Sequence, residues 1–238
     1  MKKLNNLKVK IFADGANKKD MLDMNSKSFI KGLTTNPTLM KKEGITDYRI
    51  FCKDILNTIK EKPISFEVFS DDFSEMERQA KEISSWGNNV YVKIPITNTH
   101  EENCYETVRK LSKDRVKLNI TAIMTLEQVK GVVSVLDTDT PSYISIFAGR
   151  IADTGIDPEP IMIEALKIIK SKPNIELIWA SPRELLNIFQ ADKIGCQVIT
   201  VTKDILKKLT LIDYDLNTYS LDTVKMFYND AIDAGFKL

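Results

Sequence analysis

The chain is short of the residue types that most metal and redox sites need. Its 238 residues include one histidine, His100, and three cysteines, Cys52, Cys104 and Cys196. No cysteines stand in CxxC spacing, so neither a zinc site nor a disulfide framework is indicated, and the three thiols read as structural. His100 lies just past a strand-like run and reads as an exposed residue at a helix start. No stretch approaches the roughly 18 apolar residues of a membrane span. Met1 to Lys8 is basic and polar, which does not read as a signal peptide. HExxH, GxGxxG and P-loop patterns are missing, so zinc-protease, dinucleotide and P-loop readings lose support. Net charge is also lacking: 34 basic against 33 acidic side chains leave +1, with no bulk attraction for nucleic acid or an anionic membrane. Together these features predict a protein of the reducing cytoplasm.

What is present is a regular alternation. Candidate strands are Lys8–Ala13, Phe29–Thr34, Ile64–Phe69, Val90–Ile94, Val116–Thr121, Tyr143–Ala148, Glu176–Ala180 and Gln197–Val201, each followed by a helix-like segment. That count and order predict one α/β domain over 1–238, a (β/α)8 TIM barrel. Helical spacing is clear in Asp72–Trp86, where Phe73, Met76, Ala80 and Ile83 share a stripe ahead of Gly87. Thr125–Leu136 opens on a capping threonine, and Pro158–Lys170 opens on a proline suited to a first turn. An extra C-terminal helix, 220–234, carries Leu221, Val224, Phe227, Tyr228 and Ala231 on one face. That face must pack on its own barrel or on a neighbouring subunit.

In such barrels chemistry gathers where the strands end. Polar residues fall there on seven consecutive strands: Asp14; Thr34, Thr35 and Asn36; Glu67; Lys93; Asn119 and Thr121; Ser145 and Arg150; Ser181 and Arg183. Lys93 is the most informative. It stands between Val92 and Ile94 in Val90-Tyr91-Val92-Lys93-Ile94-Pro95, so alternation turns it into the barrel interior. An unpaired ammonium there is costly. Loss of the charge would leave a nucleophilic amine able to attack a ketone. The other way out is a carboxylate partner that merely fills the barrel. Asp14 and Glu67 open at the same mouth and can shuttle protons, and Glu67 with Thr121 could hold a water. Asn36 and Asn119 could fix substrate hydroxyls through their amides. Arg150 and Arg183, each with a serine nearby, suggest an anion pocket late in the barrel, where such folds commonly bind phosphate. Trp86 and Trp179 read as packing residues, with Trp179 close enough to Ser181 to edge that pocket.

These segments resemble the transaldolase family, in particular its short single-barrel branch that includes fructose-6-phosphate aldolase. The resemblance is carried by Phe12-Ala13-Asp14, Gly32-Leu33-Thr34-Thr35-Asn36-Pro37-Thr38, Val92-Lys93-Ile94-Pro95, Asn119-Ile120-Thr121, Ser145-Ile146-Phe147-Ala148-Gly149-Arg150 and Ala180-Ser181-Pro182-Arg183. It implies Lys93 as the Schiff-base lysine, Asp14 as the acid/base, and Glu67 with Thr121 as holders of a catalytic water. It further implies Asn36, with Thr35 beside it, and Asn119 as contacts of a dihydroxyacetone unit. Ser145, Arg150, Ser181 and Arg183 would contact phosphate. The family uses neither metal nor organic cofactor. Its transferases move a dihydroxyacetone unit from fructose 6-phosphate or sedoheptulose 7-phosphate to an aldose phosphate in the pentose phosphate pathway. Glu67 and Phe147 match the transferases, whereas the aldolases that release dihydroxyacetone tend to have Gln and Tyr there. Short relatives use the C-terminal helix to reach a neighbour in rings of five, often paired to ten, so a homo-oligomer is implied. Three positions depart from the pattern: Gly15, Ile146 and Pro182. Other readings of the same residues are an aldolase, a phosphosugar isomerase or epimerase using Asp14 and Glu67 as bases without a covalent intermediate, and a non-catalytic assembly subunit.

Overall fold

The computed structural model describes residues 4–238. Eight strands, β1 Lys10–Asp14, β2 Ile30–Thr34, β3 Ile64–Glu67, β4 Val90–Pro95, β5 Leu118–Ile123, β6 Ser142–Ile146, β7 Ile175–Trp179 and β8 Val198–Thr202, close into one barrel in sequence order. Every neighbouring pair is parallel. The helices outside it are α1 Lys18–Ser26, α2 Pro37–Lys42, α3 Tyr48–Thr58, α4 Phe73–Ser84, α5 Tyr105–Lys113, α6 Leu126–Val135, α7 Ala148–Asp153, α8 Glu159–Ile169, α9 Leu186–Lys193, α10 Lys203–Lys207 and α11 Leu216–Asp233. The expected barrel with an added C-terminal helix is therefore what forms, and all eight expected strands are present with ends moved by a residue or two.

Side-chain chemistry at the helix starts sets most helix boundaries. Asp72 caps α4 by accepting from the Glu75 N–H, and Thr125 forms a reciprocal capping box with Gln128 at the start of α6. Asp215 caps α11 through the Thr218 N–H, which is why that helix begins four residues before the apolar spacing suggested. At the other end of α4 the helix stops at Ser84, ahead of Gly87, because Ser85 takes the capping position.

Strand alternation divides the core in two. Outward-facing Ile64, Phe66, Val92, Ile94, Leu118 and Ile120 are fully or almost fully buried against the helix layer. Facing inward, Phe12, Tyr143, Ile178, Ala180 and Val198 make a second cluster, with Tyr91 and Phe147 packed on it. Phe12 meets Tyr143 edge-on at 5.6 Å between ring centroids, and Tyr91 lies 4.4 Å from Tyr143. Gly32 makes room for this plug: a Cβ there would come within 2.5 Å of the Phe12 ring. The lower interior is thus a packed aromatic floor. The three cysteines are buried and free, and burial pushes the Cys104 and Cys196 thiols up to about 12, as structural thiols require. By contrast, no residue of α11 is buried, and Leu221, Val224 and Phe227 are each more than half exposed.

Candidate active site

Above the floor the inward positions turn polar. Register places Glu67 beside Lys93 and Lys93 beside Asn119, so three adjacent strands present these groups at one level. Asp14 ends β1 opposite Thr34 of β2 and Thr202 of β8. The expected inward orientation of Lys93 is realised, since its side chain is 8% exposed and reaches two oxygens inside the barrel. Its Nζ donates to the Thr35 carbonyl at 3.0 Å and lies 3.1 Å from Glu67 Oε2. Of the two ways out that the sequence left open, the carboxylate partner is present: the register of β3 against β4 sets Glu67 directly beside Lys93. That partner is half-anchored itself, as the Tyr48 hydroxyl donates to the Glu67 carbonyl at 2.7 Å.

Asp14 sits where its carboxylate is crowded yet still borders open space. Burial raises its carboxyl above the ordinary value. The charge of Lys93 and a 2.7 Å hydrogen bond from Thr34 work against that rise, and Glu67 adds to it. Thr34 also shares a short hydroxyl–hydroxyl contact with Thr200 of β8. A cavity of about 390 Å³ opens beside Asp14, lined also by Gly15, Asn17, Lys42, Glu43 and Lys203. Lys93 is not on its wall. A larger hollow of about 460 Å³ lies outside the barrel against α3 and α4, among Lys53, Asn57, Glu82 and Trp86, and holds none of these groups.

The two asparagines behave differently from one another. Asn36 spends its Oδ1 on the N-terminus of α2, accepting from the Leu39 N–H at 2.9 Å. Asn119 is wired into the barrel: its Nδ2 donates to Ser65 Oγ at 3.0 Å, and its Oδ1 accepts from Ser145 Oγ at 2.7 Å. Ser145 thus belongs to a buried chain of side chains. Thr35 and Thr121 hold buried hydroxyl oxygens with no partner among the described residues. A buried hydroxyl of this kind is what a substrate hydroxyl or a bound water satisfies.

At the ends of β6 and β7 the backbone is drawn tight. Ser181 adopts a left-handed φ of +60°, and its carbonyl crowds Gly149 so closely that a Cβ at 149 would lie 1.5 Å from that oxygen. Arg183 donates from Nε to Asp153 Oδ1 at 2.9 Å and from its Nη2 to Oδ2. Arg183 holds the Asp153 carboxyl below the ordinary carboxylate range. Arg150 lies over the Phe147 ring, 5.4 Å from its centroid. The structure therefore brings both arginines to this rim, but one is paired and the other stacked. Trp179 is a packing residue, as read from the sequence: it is 1% exposed and, like Leu177 two residues before it, faces outward into the helix-facing core, while Ile178 between them faces inward, so it does not edge this pocket. His100 is exposed, as expected, with its ring near Asp71.

Sequence reasoning did not select Ser65, Tyr48, Thr200 or Asp153, and it gave Thr34 no role. The inward parity of Thr34, Ser65 and Thr200 on their strands was the available signal. For Tyr48 and Asp153, which lie on helices, there was none.

Known proteins resemble the chain over most of its length. A probable transaldolase of Dehalococcoides mccartyi is 33% identical over 203 residues, covering 84% of this chain and 90% of that protein. A probable transaldolase of a Thermoanaerobacter species is 32% identical over 231 residues, 97% of this chain and 100% of that protein. Among solved structures, 2,3-dimethylmalate lyase superposes with a TM-score of 0.55 at 12% identity, over 99% of this chain and 87% of that one, a likeness of fold alone. The profile of one family, described as Transaldolase/Fructose-6-phosphate aldolase, matches residues 11–237. With nearly the whole chain matched, this protein belongs to the transaldolase/fructose-6-phosphate aldolase family.

Proposed function

We propose that the chain is a transaldolase-type transferase that carries a dihydroxyacetone unit from a ketose phosphate to an aldose phosphate as a Schiff base on Lys93. The observation that carries this reading is the placement of one buried amine within 3.1 Å of Glu67, in the mouth that also holds the Asp14 carboxylate. Fructose 6-phosphate and sedoheptulose 7-phosphate are the proposed donors, in the cytoplasm.

The ammonium must lose a proton before it can attack, and Glu67 is the adjacent acceptor. The amine lone pair adds to the C2 carbonyl, and loss of water from the carbinolamine leaves an iminium. Thr121, with its unpartnered hydroxyl, and Glu67 are suited to hold the water that relays these protons. Asp14 then takes the proton of the C4 hydroxyl as the C3–C4 bond breaks, and the bonding electrons pass into the iminium to give an enamine. An aldose phosphate adds to the enamine, and hydrolysis frees Lys93. Asn36, Thr35 and Asn119 serve the hydroxyls of the three-carbon unit. Arg150, Arg183, Ser145 and Ser181 serve the phosphate, which must compete with Asp153 for Arg183. Phe147 offers no phenol to act as an added acid, which favours transfer over release of free dihydroxyacetone.

Borohydride added with fructose 6-phosphate should fix a sugar adduct on Lys93, and Lys93→Ala should lose both adduct and transfer. A normal transfer rate in that variant refutes the reading. Free dihydroxyacetone measured with and without an acceptor separates transferase from aldolase, and a panel of sugar phosphates identifies the substrates.

The bare apolar face of α11 is proposed to pack on a second copy of the chain, in a ring of five or a pair of such rings. Removing the chain from Leu216 onward should lower the number of copies per assembly, read from the mass in solution divided by the mass of one chain.

A further inference from the structure

We propose that Thr200 is a positioning residue for Asp14: its hydroxyl donates to Thr34 Oγ1 and so commits the Thr34 proton to the Asp14 carboxylate. The inference rests on the reading of Asp14 as the base in the Schiff-base reaction. A threonine hydroxyl has one proton to give. The Thr34 hydroxyl contacts two oxygens, Asp14 Oδ1 at 2.7 Å and Thr200 Oγ1 at a shorter distance still. An ionised carboxylate only accepts, so the Thr34 proton goes to Asp14 and the second contact must use the proton of Thr200. The chain runs one way, from Thr200 through Thr34 to Asp14.

That direction selects a charge state. Placing a proton on Oδ1 would make Thr34 an acceptor there, and the Thr34 proton would then have to compete with the Thr200 proton for the one contact the two hydroxyls share. Placing it on Oδ2 keeps the Thr34 bond but makes its acceptor neutral, and a neutral acceptor gives the weaker bond. Either way the hydroxyl chain favours the carboxylate that can take a proton from substrate. It opposes the burial that raises the Asp14 carboxyl above its ordinary value. Thr200 is 7% exposed and lies on β8, away from Lys93 and Glu67, so it acts through Thr34 rather than on substrate.

Other charged groups surround Asp14 and must be held constant in any test. Glu67 faces it from β3 and Lys93 from β4. Around the shared cavity stand Asp20 of α1, Lys42 and Glu43 at the end of α2, and Lys203, Asp204 and Lys207 of α10, with Lys203 paired to Asp20 at 2.6 Å.

The test compares Thr200→Val, which keeps the shape and removes the hydroxyl, with Thr200→Ser, which keeps the hydroxyl. Protonation of Asp14 is followed by its carboxyl carbon resonance in the substrate-free full-length protein, assigned with Asp14→Asn. In Thr200→Val the Asp14 titration should move to higher pH, and the acid limb of kcat/KM should move with it. At a pH on that limb kcat should fall about fivefold, the loss expected for one hydrogen bond, with KM little changed. Thr200→Ser should restore wild-type behaviour. An Asp14 titration unmoved in folded Thr200→Val overturns the proposal, as does an equal loss in Thr200→Ser. Should Thr200→Val fail to fold, Thr200→Ala takes its place, with the same two readouts. If borohydride traps no adduct on Lys93, the Schiff-base reading falls, while the carbon resonance still decides what Thr200 does.

Discussion

The lower and upper halves of the barrel interior are built from the same strands and by the same alternation, yet they obey opposite rules. Below, Phe12, Tyr91, Tyr143 and Ile178 fill space and bury area. Above, Asp14, Glu67, Lys93 and Asn119 place charge and amide groups where water is scarce, and each is held by one or two named partners. A floor gains stability from burial, whereas the layer above it gives stability up to keep reactive groups in place. The difference predicts that substitutions in the two halves will have effects of different kinds.

The largest effect expected on stability is in the floor. Phe12→Ala should cost about 3–5 kcal/mol, because the ring fills space that neither Gly32 nor Tyr143 can reach. Denaturant unfolding measures it, and a cost under about 1 kcal/mol would show that the floor is loosely packed.

Next comes Asp14→Asn, where the two halves should part company. The folded protein raises the carboxyl of Asp14, so between the ordinary carboxylate value and that raised one the folded chain holds more protons than the unfolded chain. Stability from this group is greatest at low pH and falls as pH rises through that window. Asp14→Asn should remove the fall and so raise stability near neutral pH, while transfer drops by orders of magnitude. Thermal unfolding of both proteins across pH 4 to 8 checks the sign. A variant less stable than its parent at neutral pH would mean that the upper layer is built for stability after all.

The smallest effect is expected at the rim. Arg183→Lys removes the forked contact with Asp153 but keeps a charge, so KM for sugar phosphates should rise several-fold with kcat nearly unchanged. An unphosphorylated ketose should show no such change. Equal losses for both substrates would move Arg183 from substrate recognition to the scaffold.

The two halves also differed in how far they could be read from the sequence. Strand number, order and orientation follow from short apolar runs between helical spacings, and the inward direction of Lys93 follows from its neighbours Val92 and Ile94. Those are one-dimensional properties. The partners of Lys93 are not: the Thr35 carbonyl and Glu67 reach it only because β2, β3 and β4 lie side by side in a particular register. The Thr200 link to Thr34 joins positions 166 residues apart, and a single hydroxyl on a strand looks like filler until the barrel closes. Asp153 escaped notice for a similar reason. It ends the short helix α7, and only the turn at Ser181 brings Arg183 to it. Trp179 was legible as a packing residue, and the strand period of two, which turns it away from the interior that Ile178 faces, decides that it does not also edge the pocket.

The absence of a side chain at Gly32 has a further outcome for how the molecule handles traffic. Because the Phe12 ring settles into that vacancy, the barrel interior is stoppered at its lower end. Nothing can pass through that end of the barrel. If the proposed transfer on Lys93 holds, an aldose released at the polar end has to clear that same end before its successor comes in, and initial-rate plots against the two sugars should give parallel lines.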